Sequence, residues 1–208
     1  MNDDRTKSLK VLVSGSHGLI GTALVERLRE RGDDVVRLVR ARKGAEGEIG
    51  WDPDNRRVPV EELEGFDAVI HLGGASIGDK RWSERYKARL WNSRVVSTDI
   101  LVKGLLEAIL PPKVLITASA IGFYGDRGGD VRTERSDRGE GFLADMCGEW
   151  EAVTAPAAAA GIRTVNLRSG MVLSPKGGAL ARQLPLYRFG IAGRLGPGTQ
   201  YVSWISLE

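Results

Sequence analysis

Short apolar runs alternate with longer stretches in which apolar residues recur every three or four positions. The short runs fall at residues 11–14, 35–39, 49–51, 67–72, 114–117 and 163–168, and each is bounded by glycine, proline or charged residues, as strands are. The longer stretches begin at Thr22-Ala23-Leu24-Val25, continue from Ser83 to Ile109 and from Phe142 to Ala159, the last broken or restarted at Pro156. Their spacing is that of helices with one buried face. Strands and helices in strict alternation predict an α/β fold with a doubly wound parallel sheet and right-handed crossovers. In such a sheet, ligands lie beyond the carboxyl ends of the strands, where Gly15, Arg40, Leu72, Gly73, Ser119 and Arg168 fall.

The first strand runs into Gly15-x-x-Gly18-x-x-Gly21, which opens directly into the first helix. A strand that turns this sharply needs a residue free to take positive φ at Gly15, a backbone that approaches a pyrophosphate needs no Cβ at Gly18, and close helix–strand packing needs a small residue at Gly21. Ser16, His17, Leu19 and Ile20 complete the loop and helix start, whose free N–H groups would face phosphates. The pattern predicts a dinucleotide site. The second strand ends in Leu38-Val39-Arg40-Ala41-Arg42-Lys43, with three bases and no acid. An acid there would hold a ribose 2′-hydroxyl, whereas a guanidinium grips a 2′-phosphate, so Arg40 favours NADP(H) over NAD. A merely solvated basic loop is the alternative.

Composition narrows the partners. The chain has 208 residues, a formal charge of +3, one cysteine and two histidines. The charge is small and its bases are scattered, which argues against nucleic acid, and a single Cys147 permits no internal disulfide. No apolar stretch reaches membrane-spanning length, and residues 1–10 are too polar for a secretory signal, so a cytoplasmic protein with a small-molecule substrate is expected.

The strings GSHGLIG, DAVIHLGG, ITASAIGFYGD, LRSGMVLSPKGG and GPGTQYVSWISLE together resemble the extended short-chain dehydrogenase/reductase superfamily of NAD(P)-dependent epimerases and dehydratases. DKRW, FLADMCGEWE and GPGTQYVSWI resemble its atypical cell-division-inhibitor-type (SulA-like) branch. The resemblance implies a Rossmann-like NADP-binding domain over 9–173 and, over 174–208, part of a substrate-binding region that continues in the family beyond the strand around Trp204.

It also implies a catalytic Tyr-x-x-x-Lys pair, with a Ser or Thr at the end of the preceding strand. The matching positions here are Leu143 and Cys147, with Ser119 as the surviving third member. Leucine carries no proton and a neutral thiol is no fixed cation. Tyr124 is the nearest phenol, either a proton donor or a residue that shapes its loop. Cys147 reads as a core thiol or, without a neighbouring histidine, a weak nucleophile, and Asp126, Glu134, Asp145 and Glu149 read as surface acids. Where the family has asparagine, this chain has Arg94, which the resemblance makes a cofactor contact, with a surface salt bridge to Asp99 or a neighbouring acid as the alternative. Arg168 is grouped with the cofactor contacts, and Asp52 matches the position that receives the adenine amino group. Lys80, Arg81 and Trp82 could meet an anionic substrate, or the tryptophan could cap the core. The substrate region retains Arg182, Arg188 and Arg194. Three functions are compatible with these residues: an epimerase-like NADP-dependent oxidoreductase acting on a small, possibly nucleotide-sugar-like substrate, a non-catalytic NADP(H) sensor, or an interaction protein.

Overall fold

The computed structural model describes residues 7–40, 45–194 and 196–207. Six parallel strands, β1 (Lys10–Ser14), β2 (Asp34–Val39), β3 (Glu48–Gly50), β4 (Ala68–His71), β5 (Val114–Ala120) and β6 (Arg163–Ser169), form one sheet in the order β3-β2-β1-β4-β5-β6. The chain leaves β1 in one direction for β2 and β3, then returns to the other side of β1 for β4. The strand order therefore reverses between β1 and β4, and the crevice of a doubly wound sheet opens there.

Alternation along the strands buries both faces. Val11 and Val13 pack with Val25 and Leu28 of α1 (Leu19–Glu30). Leu12 points to the opposite face, among Leu38, Val69, Leu115 and the Ile100–Leu105 stretch of α3 (Ser97–Glu107). Leu12 is fully buried, a placement that stabilises by about 1.5–3 kcal/mol. Gly32, at φ +91°, ends α1 in the left-handed conformation that favours glycine.

The long helical stretch 83–109 is a composite. Ser83 caps α2 (Glu84–Trp91) by accepting from the Tyr86 N–H, a single π turn follows over Asn92–Val96, and α3 ends at Glu107. The later stretch is broken earlier than its proline suggested. α4 (Phe142–Ala152) stops before Thr154, and Pro156 sits in the first turn of α5 (Ala155–Ala159), where its missing N–H costs nothing. Beyond the sheet, β7 (Met171–Leu173) pairs in parallel with β8 (Trp204–Ser206), and α6 (Gly178–Arg188) lies between them in sequence. This small sheet joins residues on both sides of position 173. No helix among the described residues is long and apolar enough to cross a membrane.

Candidate functional site

The carboxyl ends of β1 and β4 meet at the crevice. Gly15 takes φ +67°, and a Cβ there would lie 2.7 Å from the Leu72 carbonyl carbon, so the first turn is wedged against the strand end that carries Leu72 and Gly73. At Gly21 a Cβ would come 2.2 Å from the Gly15 carbonyl oxygen, which fixes the close approach of helix to loop. Gly18 differs: its Cβ would meet only the Gly15 oxygen, at 3.3 Å. Gly18 is the N-cap of α1 and brings no side-chain bond to it. The N–H groups of Leu19 and Ile20 find no acceptor among the described residues, and the buried Ser16 hydroxyl likewise has no partner.

Below this loop, Ser14 and His71 face each other across the β1–β4 register and share a short hydrogen bond between Ser14 Oγ and His71 Nδ1. His71 is wholly buried, with the Trp51 ring edge-on at 5.9 Å. Burial, with the charge of Arg40 adding to it, brings its pKa down to about 4. Arg40 itself is exposed at the end of β2 and has no ion-pair partner among the described residues. Arg42 and Lys43 lie outside the described residues. His17 is largely exposed, with Nε2 3.9 Å from Glu48. Asp52 is already engaged: it caps the turn at Pro53–Asn55, accepting from Asn55 N and, at 2.8 Å, Asn55 Nδ2. These bonds hold its carboxyl below the usual carboxylate range.

A second group gathers where β5, β6 and α4 meet. Ser119 Oγ donates to Glu151 Oε1 at 2.6 Å. Arg168, opposite Ser119 in the strand register, donates from Nε to the same oxygen at 2.8 Å and from Nη2 to Glu151 Oε2 at 2.7 Å. Its Nη1 reaches the Tyr124 hydroxyl at 3.0 Å and the Glu134 carbonyl at 3.3 Å, and the guanidinium stacks on Phe123 at 3.4 Å. The bonds to Glu151 drive its pKa above the ordinary arginine value. The Arg168 donors are thus committed to protein groups rather than turned toward a dinucleotide. Tyr124, Glu151 and Arg168 line a cleft of about 640 Å³. Glu151 was not among the residues singled out from sequence, although it follows Leu143 and Cys147 at two successive steps of four on one helix face.

Leu143 and Cys147 do lie side by side against the loop after β5, where a Cβ on Gly122 would meet Leu143 Cβ at 3.4 Å and Cys147 Sγ at 3.7 Å. Burial pushes the Cys147 thiol up, so the nucleophile reading loses its thiolate. The surface pairing offered for Arg94 is overturned, since Asp99 binds Lys103 at 2.8 Å and Arg94 is buried. Asp126 bonds the Gly128 N–H, and Asp145 lies 3.5 Å from Arg138. Trp82 is half-exposed, edge-on to Phe142, with its indole N–H on the Ile77 carbonyl. Arg182 of α6 binds the Gly78 carbonyl and Asp79, and Gly177 and Gly178 rest on Leu19, so α6 is tethered across the crevice from both sides.

A family model described as the NAD dependent epimerase/dehydratase family matches residues 11–204. An epimerase family protein of Mycobacterium bovis is 42% identical over 198 residues, which cover 95% of this chain and 65% of that protein. Human epimerase family protein SDR39U1 is 33% identical over 202 residues, 96% of this chain and 67% of its own length. The crystal structure of isoform 2 of that human protein with NADPH superposes with a TM-score of 0.83 at 31% identity, covering 96% of this chain and 66% of that one. A nucleoside-diphosphate sugar epimerase from Corynebacterium glutamicum gives 0.84 at 37% identity, covering 96% of this chain and 41% of that one.

Proposed function

We propose that this chain, which belongs to the NAD dependent epimerase/dehydratase family, binds NADP(H) across the β1–β4 crevice and serves as an oxidoreductase-like protein for a small, nucleotide-sugar-like substrate. The carrying observation is the set of groups at the crevice that have no partner among the described residues: the Leu19 and Ile20 N–H groups, the Ser16 hydroxyl and the exposed Arg40. Hydrogen-bond donors left without acceptors at a helix start fit a pyrophosphate, and an exposed guanidinium at the end of β2 fits a 2′-phosphate. The human relative solved with NADPH supports the same choice of cofactor. In this reading Gly15, Ser16, His17, Gly18, Leu19, Ile20 and Gly21 cradle the phosphates, Leu72 and Gly73 wall the site, and Arg40 reads the 2′-phosphate. Asp52 keeps an adenine role only by exchanging its bonds to Asn55.

Bound there, NADP(H) would supply hydride exchange with a carbonyl or carbinol carbon. Tyr124 accepts from Arg168 and so keeps its own O–H for a substrate oxygen. Ser119 donates its hydroxyl hydrogen bond to Glu151 and keeps its lone pairs as acceptors. Leu143 and Cys147, packed where the family's Tyr and Lys would stand, favour a second reading in which the protein senses NADP(H) without turning it over.

Calorimetric titration of the wild type and Arg40→Ala with NADPH and NADH tests the cofactor assignment. A charge-assisted phosphate contact contributes about 1.5–3 kcal/mol, so the substitution weakens NADPH roughly tenfold or more and leaves NADH nearly unchanged. Equal losses for the two would refute it. NADPH turnover across carbonyl and sugar-nucleotide substrates separates the enzyme from the sensor.

A further inference from the structure

The first turn of α6 crosses the crevice, and few contacts hold it there. At its start, a Cβ on Gly177 or on Gly178 would lie 3.2 Å from a Leu19 methyl carbon, so the turn rests on the residue that opens α1. Four residues beyond Gly178, Arg182 reaches the loop after β4. Its Nη1 donates to the Gly78 carbonyl at 2.7 Å, and its Nη2 donates to Asp79 Oδ1 in a short bond. Four helical residues advance by about 6 Å, enough to carry the chain from the β1 side of the strand reversal to the β4 side. Arg182, read from sequence as a base of the substrate region, is spent on this loop.

The two partners in that contact differ in how firmly they are held. The loop is a fixed post. The Ala75 N–H donates to Ser93 Oγ at 2.9 Å, the Ser76 carbonyl accepts from the Tyr86 hydroxyl at 2.5 Å, and the Ile77 carbonyl accepts from the Trp82 indole at 3.0 Å. By contrast, none of the 11 residues of α6 is buried, and Pro185 interrupts its backbone bonding. A helix with so little buried surface lifts at low cost. The Arg182 and Asp79 side chains are 57% and 48% exposed, so their ion pair opens easily and adds little to global stability. The Arg182 bond, with the Ser76 hydroxyl, holds the Asp79 carboxyl below the usual carboxylate range, which keeps the pair charged at neutral pH.

We infer that α6 is a strap over the crevice, latched by Arg182 on Gly78 and Asp79, and that the latch sets how fast the dinucleotide enters and leaves rather than how tightly it is held. This inference rests on the dinucleotide reading above. A ligand lying across the β1–β4 crevice lies under the strap and passes only when the latch is open, on arrival and on departure alike. The latch joins protein groups only, so closing it returns the same bonds with or without a ligand beneath. A substitution that removes it therefore lowers the barriers to entry and exit together and leaves their difference, the affinity, in place.

The test is stopped-flow fluorescence of NADPH, mixed with the protein to read entry and displaced by excess NADP+ to read exit, with calorimetry for the affinity. In Arg182→Ala both rates rise about three- to fivefold, while the dissociation constant stays within about twofold. Asp79→Asn, which still accepts from Arg182 without the charge, shows the same pattern at smaller size. Reversing the pair, Asp79→Arg with Arg182→Asp, returns the attraction, so exchange is slower than in either single reversal. Unchanged rates in Arg182→Ala would overturn the inference, and so would a double reversal no slower than the single ones. A loss of affinity at constant entry rate would make Arg182 a ligand contact, and failure of both Arg182→Ala and Asp79→Asn to fold would make the clasp a structural support; either outcome overturns the latch. A wild type that binds no NADPH would bring down the dinucleotide reading itself, and the strap with it.

Discussion

The two ends of the crevice are built on opposite terms. Around the glycine turn, polar groups have no partner among the described residues: the Leu19 and Ile20 N–H groups, the Ser16 hydroxyl and His71 Nε2, with the exposed Arg40 guanidinium nearby. Around β5 and β6, Ser119, Glu151, Arg168 and Tyr124 satisfy one another through bonds of 2.6–3.0 Å. Buried polar groups without a partner, such as Ser16 Oγ and His71 Nε2, cost stability, whereas a closed network is rigid before anything binds. The first end presents donors at a helix start that the described residues leave open. The second is a framework that holds two hydroxyls at fixed positions.

Glu151→Ala is the hardest blow to that contrast. It strands the half-buried Arg168 without its anion, a change that costs about 1–3 kcal/mol, and denaturant unfolding should register it while NADPH binding to the folded protein persists. Arg168→Met in the same chain should recover much of the loss. If Glu151→Ala alone is harmless, the network is not the framework described.

Gly18→Val strikes the opposite end. Its Cβ would meet only the Gly15 carbonyl oxygen, at 3.3 Å, a contact that a shift of a few tenths of an ångström relieves, and its φ of −76° suits any residue, so the far-UV spectrum should keep its shape while cofactor affinity falls by roughly a hundredfold or more, about 2.7 kcal/mol. Persistent binding would mean that the turn does not hold the phosphates.

His71 offers a subtler probe. Its pKa is about 4 when folded and near 6.5 when unfolded, so the unfolded chain takes up the proton first and stability falls as pH drops from 6.5 toward 4. Between pH 7 and 5 this amounts to about 2 kcal/mol. His71→Gln should flatten that part of the wild-type pH profile, and an unchanged slope would exclude the buried imidazole as its source. Cys147→Ser is expected to have the smallest effect, within about 1 kcal/mol, and the wild-type thiol should resist alkylation at neutral pH until the chain unfolds.

Much of the fold was legible because strand and helix periods are local properties. The turn at Gly15, the helix stop at Gly32 and the parallel order followed from residues a few positions apart. The π turn at Asn92–Val96 is not legible, since Ser93-Arg94-Val95 reads as ordinary helix and its bonds to Ala75, 18 and 19 positions away, leave no local signal. The network was partly legible. Ser119 and Tyr124 stood out by resemblance, but Arg168 was grouped with cofactor contacts because nothing local announces Glu151, 17 positions away, as its partner. Arg94 reads from sequence as a cofactor contact or a surface partner of an acid, because a stretch rich in charge gives no sign of its burial.

The π turn leaves a mark on how this chain could change length. It carries one residue more than a regular helix needs to join α2 to α3, and each helical residue turns the axis by about 100°. Losing a single residue between Asn92 and Val96 would let the backbone close into an unbroken helix. The same deletion would leave Leu101 and Leu105 facing the sheet, because the surplus residue is the one the wide turn absorbs, but it would close the bulge that sets Ser93 and Arg94 against Ala75. A deletion that makes the helix more regular would thus spare the core and act at the loop after β4, which separates the two roles of one continuous helical stretch.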